Sequence, residues 1–276
     1  MLKMKFTYFK YMVLKGGEKG FGIPLNAPLY PSSTAVTKIS YSKVRVALVL
    51  ANIDSKSVDP LLPEGVDLAL EVAAFWVGDY GISTVGVYRE ALIALPVRTE
   101  GVELAYYIPY IYVTNDAAMA AGRELAGAPK KLGDIRLTVN DYGLAIGMLD
   151  RGGELMRVEV AISGRLGLEQ LDAFRSLMPR MDNTVTLPLL SVRTLPPLPD
   201  GTPGIAQLIQ WYARFTFTPR ESPQIWSGEA RVKLGGTPFD PLDDIKVTGV
   251  VAGFYIEGDM ELGIIGRVKE WKLVWG

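Results

Sequence analysis

The 276-residue chain contains no cysteine and no histidine. Without cysteine there is no disulfide framework, no thiolate zinc site and no cysteine nucleophile. Without histidine there is no Ser-His-Asp triad, no HExxH metal motif and no imidazole base. Chemistry is left to Lys, Asp, Glu, Arg, Tyr, Ser and Thr. A carboxylate-only metal site stays open, but no DxDxDG loop is present. Asn, with five copies, and Gln, with four, are also scarce, a bias shared with heat-adapted proteins.

No apolar run approaches the roughly 18 residues of a membrane span. Lysines break the N-terminal stretch MLKMKFTYFKYMVLKGG every few positions, which spoils the apolar core of a signal peptide. Net charge is −1, and no cluster of Lys and Arg interleaves with aromatics. These absences predict a cytoplasmic protein with neither nucleic acid nor a membrane as its partner.

What is present is strand. VRVALVLANI (44–53), VDLALEVAAFWV (66–77), STVGVYREALIALPV (83–97) and LAYYIPYIYV (104–113) are rich in β-branched and aromatic residues, with partial period-two alternation. Similar runs follow at 135–139, 155–162, 184–195, 206–219, 229–234 and 245–257, separated by Pro, Gly and Asp clusters such as PPLPDGTPG (196–204). The pattern predicts a mostly β fold, an antiparallel barrel- or cone-like sheet with a few short helices. The tyrosines at 106, 107, 110 and 112 read as core. With no internal repeat and no flexible linker, one domain over residues 1–276 is expected, with an N-terminal arm over 1–30.

The clearest helix runs from about 117 to 125, AAMAAGREL. Asp116 or Asn115 can cap it, Gly127 can take the left-handed position after its end, and Pro129 blocks continuation. Further short candidates are SKSVDPLLP (55–63), an extended apolar-polar connection, and GLEQLDAFRSLM (167–178).

Straight after Pro129 come two adjacent lysines, Lys130 and Lys131, wrapped in Ala, Gly and Leu. One account is a solvated pair beyond a helix C-terminus, where cations favour the dipole. The other is chemical. An amine attacks a carbonyl only when neutral, and apolar surroundings or a nearby cation favour that form. If 130–132 are extended, the two side chains point to opposite faces, and desolvation of Lys130 outweighs any field from Lys131.

The segment GRELAGAPKKLG (122–133) resembles the signature of the acetoacetate decarboxylase family, in which the first lysine of the pair forms a Schiff base. The likeness continues in Glu71 of LALEVAAF, Glu90 of VYREA and WSGEARVKL…PFDPLDDIKV (226–247), and covers roughly 40–255. It implies Lys130 as nucleophile, Lys131 as the neighbour that depresses its pKa, and Glu71 and Glu90 beside it in one cavity. It also implies an arginine in the first core strand facing the substrate, for which Arg45 is the nearest candidate and Arg89 a substitute. Read from pattern alone, Glu71 could equally be solvent-facing or ion-paired, and Glu90 could be exposed.

The resemblance further implies a homo-oligomer acting on a small keto-acid substrate, with no organic cofactor and no metal. The expected activity is decarboxylation of a β-keto acid such as acetoacetate. A relative running another Schiff-base reaction (aldol condensation, dehydration or hydration) is the alternative within enzymes. A non-catalytic β-barrel binder of a small apolar ligand is the alternative outside them.

Overall fold

β-Branched and aromatic residues extend almost every segment, and the computed structural model shows strands nearly throughout. It describes residues 11–14, 21–24, 38–167, 170, 177, 180–181, 184–216 and 224–274. β1 (Tyr11–Leu14) and β2 (Phe21–Pro24) form a separate antiparallel pair within the expected arm. Otherwise residues 1–30, like most of the helix candidate at 167–178, lie outside the described residues.

β3 (Lys38–Ile53) is followed by a short helix, α1 (Ser55–Val58), inside the short candidate at 55–63. Asp54 starts it: its carboxylate accepts the Lys56 N–H at 3.1 Å and caps the turn. Next come β4 (Val66–Leu68), β5 (Val72–Ser83), β6 (Tyr88–Thr99) and β7 (Val102–Val113). Helix α2 (Asp116–Ala121) then leads to β8 (Lys130–Leu132), β9 (Asp134–Val139), β10 (Leu144–Asp150) and β11 (Glu154–Arg165). The chain ends with β12 (Arg180–Met181), β13 (Thr184–Leu195), β14 (Gly204–Thr216), β15 (Ile225–Leu234), the short pair β16 (Gly236–Thr237) and β17 (Asp240–Pro241), and β18 (Val247–Leu273).

The pairings β13–β7–β6–β5–β3–β18–β14 return to β13, so the sheet closes into a ring. A second limb, β15–β11–β10–β9, leaves the ring at β18. The mostly β expectation holds, with two parallel pairings among the described residues, β13 with β7 and β8 with β7. The second follows from α2, which carries the chain back before β8 begins. A parallel neighbour needs such a crossover, whereas a hairpin gives an antiparallel one.

Both faces of the ring strands are buried. On β3, Val44, Val46, Leu48 and Leu50 point into the ring, while Ala47, Val49, Ala51 and Ile53 pack on the outer face with Leu149 and Val158 of the second limb. Double burial is why these strands read as nearly continuous apolar runs. It also makes parity decisive: a residue's number along the strand settles which face it joins.

Candidate active site

The lysine pair is delivered by a tightly specified turn. Asn115 caps α2, its side-chain oxygen accepting the Ala118 N–H at 2.7 Å. After Ala121 the helix widens into a π-turn over Gly122–Ala126. Gly127 then takes the left-handed conformation, φ 71°, as its position predicts. A Cβ there would also come within 2.4 Å of the Arg193 backbone nitrogen, so close packing on β13 demands glycine a second time. Arg193 donates to the Glu124 carbonyl at 3.3 Å, filling one of the acceptors a helix end leaves free. Pro129 follows, and β8 pairs beside β7 with Lys130 opposite Ile111.

Parity turns Lys130 inward. Its Nζ donates to Glu90 Oε2 at 2.7 Å, and the two residues are only 5% and 4% exposed. Glu90 Oε1 accepts the Tyr80 hydroxyl at 3.0 Å, and that hydroxyl accepts Trp76 Nε1–H at 3.0 Å. The Lys130 amine lies 5.5 Å from the centre of the Tyr88 ring, and the Tyr88 and Tyr41 hydroxyls share a hydrogen bond of 2.9 Å. Burial pushes all three phenols well above their ordinary range, so they remain O–H donors. The result is one buried amine and one buried carboxylate set in a ring of phenols.

Gly122 makes room for this amine. A Cβ at position 122 would lie 2.5 Å from Lys130 Cδ and 2.6 Å from Cε, against the middle of a side chain held at both ends. Arg123 steadies the same residue from behind, its guanidinium donating to the Lys130 carbonyl at 3.3 Å. Gly122→Ala is therefore expected to shift the lysine stem and lower kcat by about 10–100-fold, the scale of a misplacement near 1 Å. A melting temperature close to wild type would accompany it. Unchanged kcat would show that the stem can move aside freely.

Lys131 points the other way, as alternation in β8 requires. Its Nζ donates to Asp240 Oδ1 at 2.6 Å and to the Phe239 carbonyl at 2.8 Å. Asp240 also accepts the Tyr112 hydroxyl at 2.7 Å and Arg151 Nε–H at 3.2 Å. Burial alone would raise the Asp240 carboxyl, but the hydrogen bonds from Lys131 and Tyr112 outweigh it and hold the group below its usual range. The PFDPLDDIKV stretch is thus pinned to the outer side of the lysine strand, and the Lys131 charge is met there.

The other two candidates are placed elsewhere. Glu71 is exposed. Leu68 pairs with Val97 and Ala74 with Ala94, so residues 69–73 stand opposite Leu95 and Pro96 alone. The surplus chain breaks the strand between Leu68 and Val72 and leaves Glu71 exposed within the break, which corrects the expectation of one continuous strand over 66–77. Arg45 lies one residue out of step with Val44 and Val46 and emerges on the outer face, where it is ion-paired with Asp79. Arg89 approaches the same carboxylate at 3.7 Å. Of the five residues singled out from sequence, the structure brings together Lys130 and Glu90.

The phenols and Gly122 were not singled out. Spacing held a partial signal, since Tyr88 and Glu90 are two apart and share a strand face. Tyr41 and Tyr80 offered none, because they meet only when β3 and β5 pair.

Glu90 opens onto a cavity of about 70 Å³ whose walls include Leu48, Leu50, Leu92, Ile108 and Leu189. A smaller space of about 30 Å³ surrounds the Lys130 stem and shares Trp211 and Leu262 with it. The amine–carboxylate pair bridges the two. Among the described residues, no three Asp or Glu side chains converge as a metal site would need.

The sequence profile of the family described as Acetoacetate decarboxylase (ADC) matches residues 22–270. The chain is 28% identical over 246 residues to the acetoacetate decarboxylase of Clostridium acetobutylicum, covering 88% of this chain and 93% of that one. Its fold is similar to the crystal structure of acetoacetate decarboxylase from Legionella pneumophila, with a TM-score of 0.74, 22% identity, and 88% and 90% of the two chains covered. It is also similar to the enduracididine biosynthesis enzyme MppR complexed with the condensation product of pyruvate and imidazole 4-carboxaldehyde. There the TM-score is 0.63 at 18% identity, covering 84% and 87%.

Proposed function

The chain belongs to the acetoacetate decarboxylase family, and we propose that it decarboxylates a small β-keto acid through a Schiff base on Lys130. One observation carries this reading: a buried amine stands 2.7 Å from a buried carboxylate at the end of an apolar cavity. Glu90 can take the proton that the amine must lose before it attacks. The neutral nitrogen then bonds to the keto carbon, the proton taken by Glu90 passes to the carbinol oxygen, and that oxygen leaves as water, giving an iminium. The bond to the substrate carboxylate breaks, its electron pair flows into the iminium, and CO2 departs from an enamine. A proton drawn from solvent and delivered by Glu90 protonates the enamine carbon, and hydrolysis of the resulting iminium releases the ketone and restores Lys130.

The dry walls favour this sequence. A substrate carboxylate beside Glu90 meets like charge in a site of low dielectric, and losing CO2 relieves it. The phenol hydroxyls remain available as donors to the developing water and to Glu90.

A second reading is an aldol-type condensation through the same iminium. It is prompted by Arg45 and Glu71, which the resemblance sets beside the amine and which here stand ion-paired with Asp79 and exposed. The similar enzyme MppR, in its complex with the condensation product of pyruvate and imidazole 4-carboxaldehyde, holds a product of that type.

One experiment tests the lysine and separates the reactions. Incubation with acetoacetate and borohydride should fix a covalent adduct on Lys130 and leave Lys131 unmodified by peptide mapping. CO2 release without borohydride marks decarboxylation; trapping without CO2 marks the condensation. Because Lys131 is engaged by Asp240 on the far side, Lys131→Ala should leave adduct formation at Lys130 intact. Loss of that adduct in a folded variant would make Lys131 a participant instead.

A further inference from the structure

The wall beyond Glu90 is built for something other than a charged or polar group. Leu48 and Leu50 of β3, Ala74 of β5, Ala94 of β6 and Ala213 of β14 all face it. The polar tips that reach the cavity are already engaged: Tyr80 with Glu90, Trp76 with Tyr80, and Trp211 Nε1–H with Ser191 Oγ at 3.0 Å. Glu90 is the one charged residue in the lining among the described residues. The inward positions of β3 at the same level carry Val44 and Val46, and the nearby arginines are spent on Asp79 outside. A polar or charged substituent sent this way would lose its water and find no partner.

The cavity therefore has a head and a tail. Amine, carboxylate and phenols gather at one end, and leucines and alanines line the other. Resting on the Schiff-base reading, we infer that the site selects carbonyl substrates whose keto carbon carries a short apolar tail of about three carbons. Size sets the limit. A cavity of about 150 Å³ takes one benzene ring, about 25 Å³ per carbon, so about 70 Å³ takes about three carbons. The alanines at 74, 94 and 213 provide that room, since longer side chains there would fill it.

Tail burial gives a measurable slope. Each methylene moved from water into such walls strengthens binding about fourfold. From acetoacetate, with a methyl tail, to 3-oxohexanoate, with a propyl tail, kcat/KM should rise by roughly fifteenfold. Beyond propyl the gain should stop, and 3-oxodecanoate should fall below 3-oxohexanoate. Where the aldol-type reaction is run, the same series is read by the rate of borohydride trapping.

The test pairs that series with adduct mapping on wild-type protein. Adducts at Lys130 with a maximum near the propyl tail support the inference. Adducts at Lys130 with acetoacetate equal to or better than 3-oxohexanoate overturn it and leave the Schiff-base reading standing. No adduct at Lys130 from any substrate overturns both. In Ala74→Leu the ratio of propyl to methyl substrate should collapse from about fifteen toward one, with folding checked by thermal melt. A ratio unchanged in a folded variant would place the tail elsewhere and sink the assignment.

Discussion

Lys130→Arg is expected to lower turnover of a β-keto acid by at least about 10³-fold, the scale of losing a covalent nucleophile. Arginine does not deprotonate in a protein, so its guanidinium cannot form the imine. The substitution is chosen because it keeps a cation opposite Glu90. Lys130→Ala would instead strand a carboxylate that is 4% exposed, and breaking a buried pair in that way costs about 3–5 kcal/mol. Activity lost in the alanine variant could then reflect folding, whereas arginine separates chemistry from the pair. Three readouts decide it: kcat, borohydride adducts by mass, and the thermal melt. Retention of activity within about tenfold of wild type would end the covalent mechanism.

The lysine site was legible because its determinants are local. Asn115, Gly127 and Pro129 fix the start and stop of one helical segment within fifteen residues, and alternation across three strand residues assigns the two lysines to opposite faces. None of that depends on distant chain. Glu90 was placed by the resemblance, since pattern alone left it open; it turns inward because its strand stays regular from Tyr88 through Ile93.

Glu71 and Arg45 were misplaced by a single kind of event, a change of register. VDLALEVAAFWV looks like one strand because every residue in it except Asp67 and Glu71 is apolar. The five residues 69–73 standing opposite Leu95 and Pro96 are set by how β4 and β5 share β6 as a partner. That partnership is tertiary and leaves no local trace. Arg45 differs from its inward neighbours by one position, and one position reverses a strand face. The ring closure is similarly remote, since β14 must reach both β13 and β18, whose residues are up to 89 apart in number between Thr184 and Leu273.

These placements leave Glu90 with work that two carboxylates and an arginine were expected to share. Glu90→Gln should then be nearly as damaging as loss of the lysine, lowering kcat by about 10²–10⁴-fold, the range for a general acid–base group. Gln is close in shape and can still accept the Tyr80 hydroxyl, so the cavity should keep its form. What it cannot do is take the amine proton or return one to the enamine carbon. Imine formation should survive the change, because the nucleophilic amine is still present and solvent can take its proton. Trapping preserved while turnover fails is the signature of a proton carrier that acts after the covalent step. Should trapping and turnover fall together in a variant with a wild-type melt, Glu90 would be holding the lysine in place instead. Turnover close to wild type would remove Glu90 from the mechanism altogether.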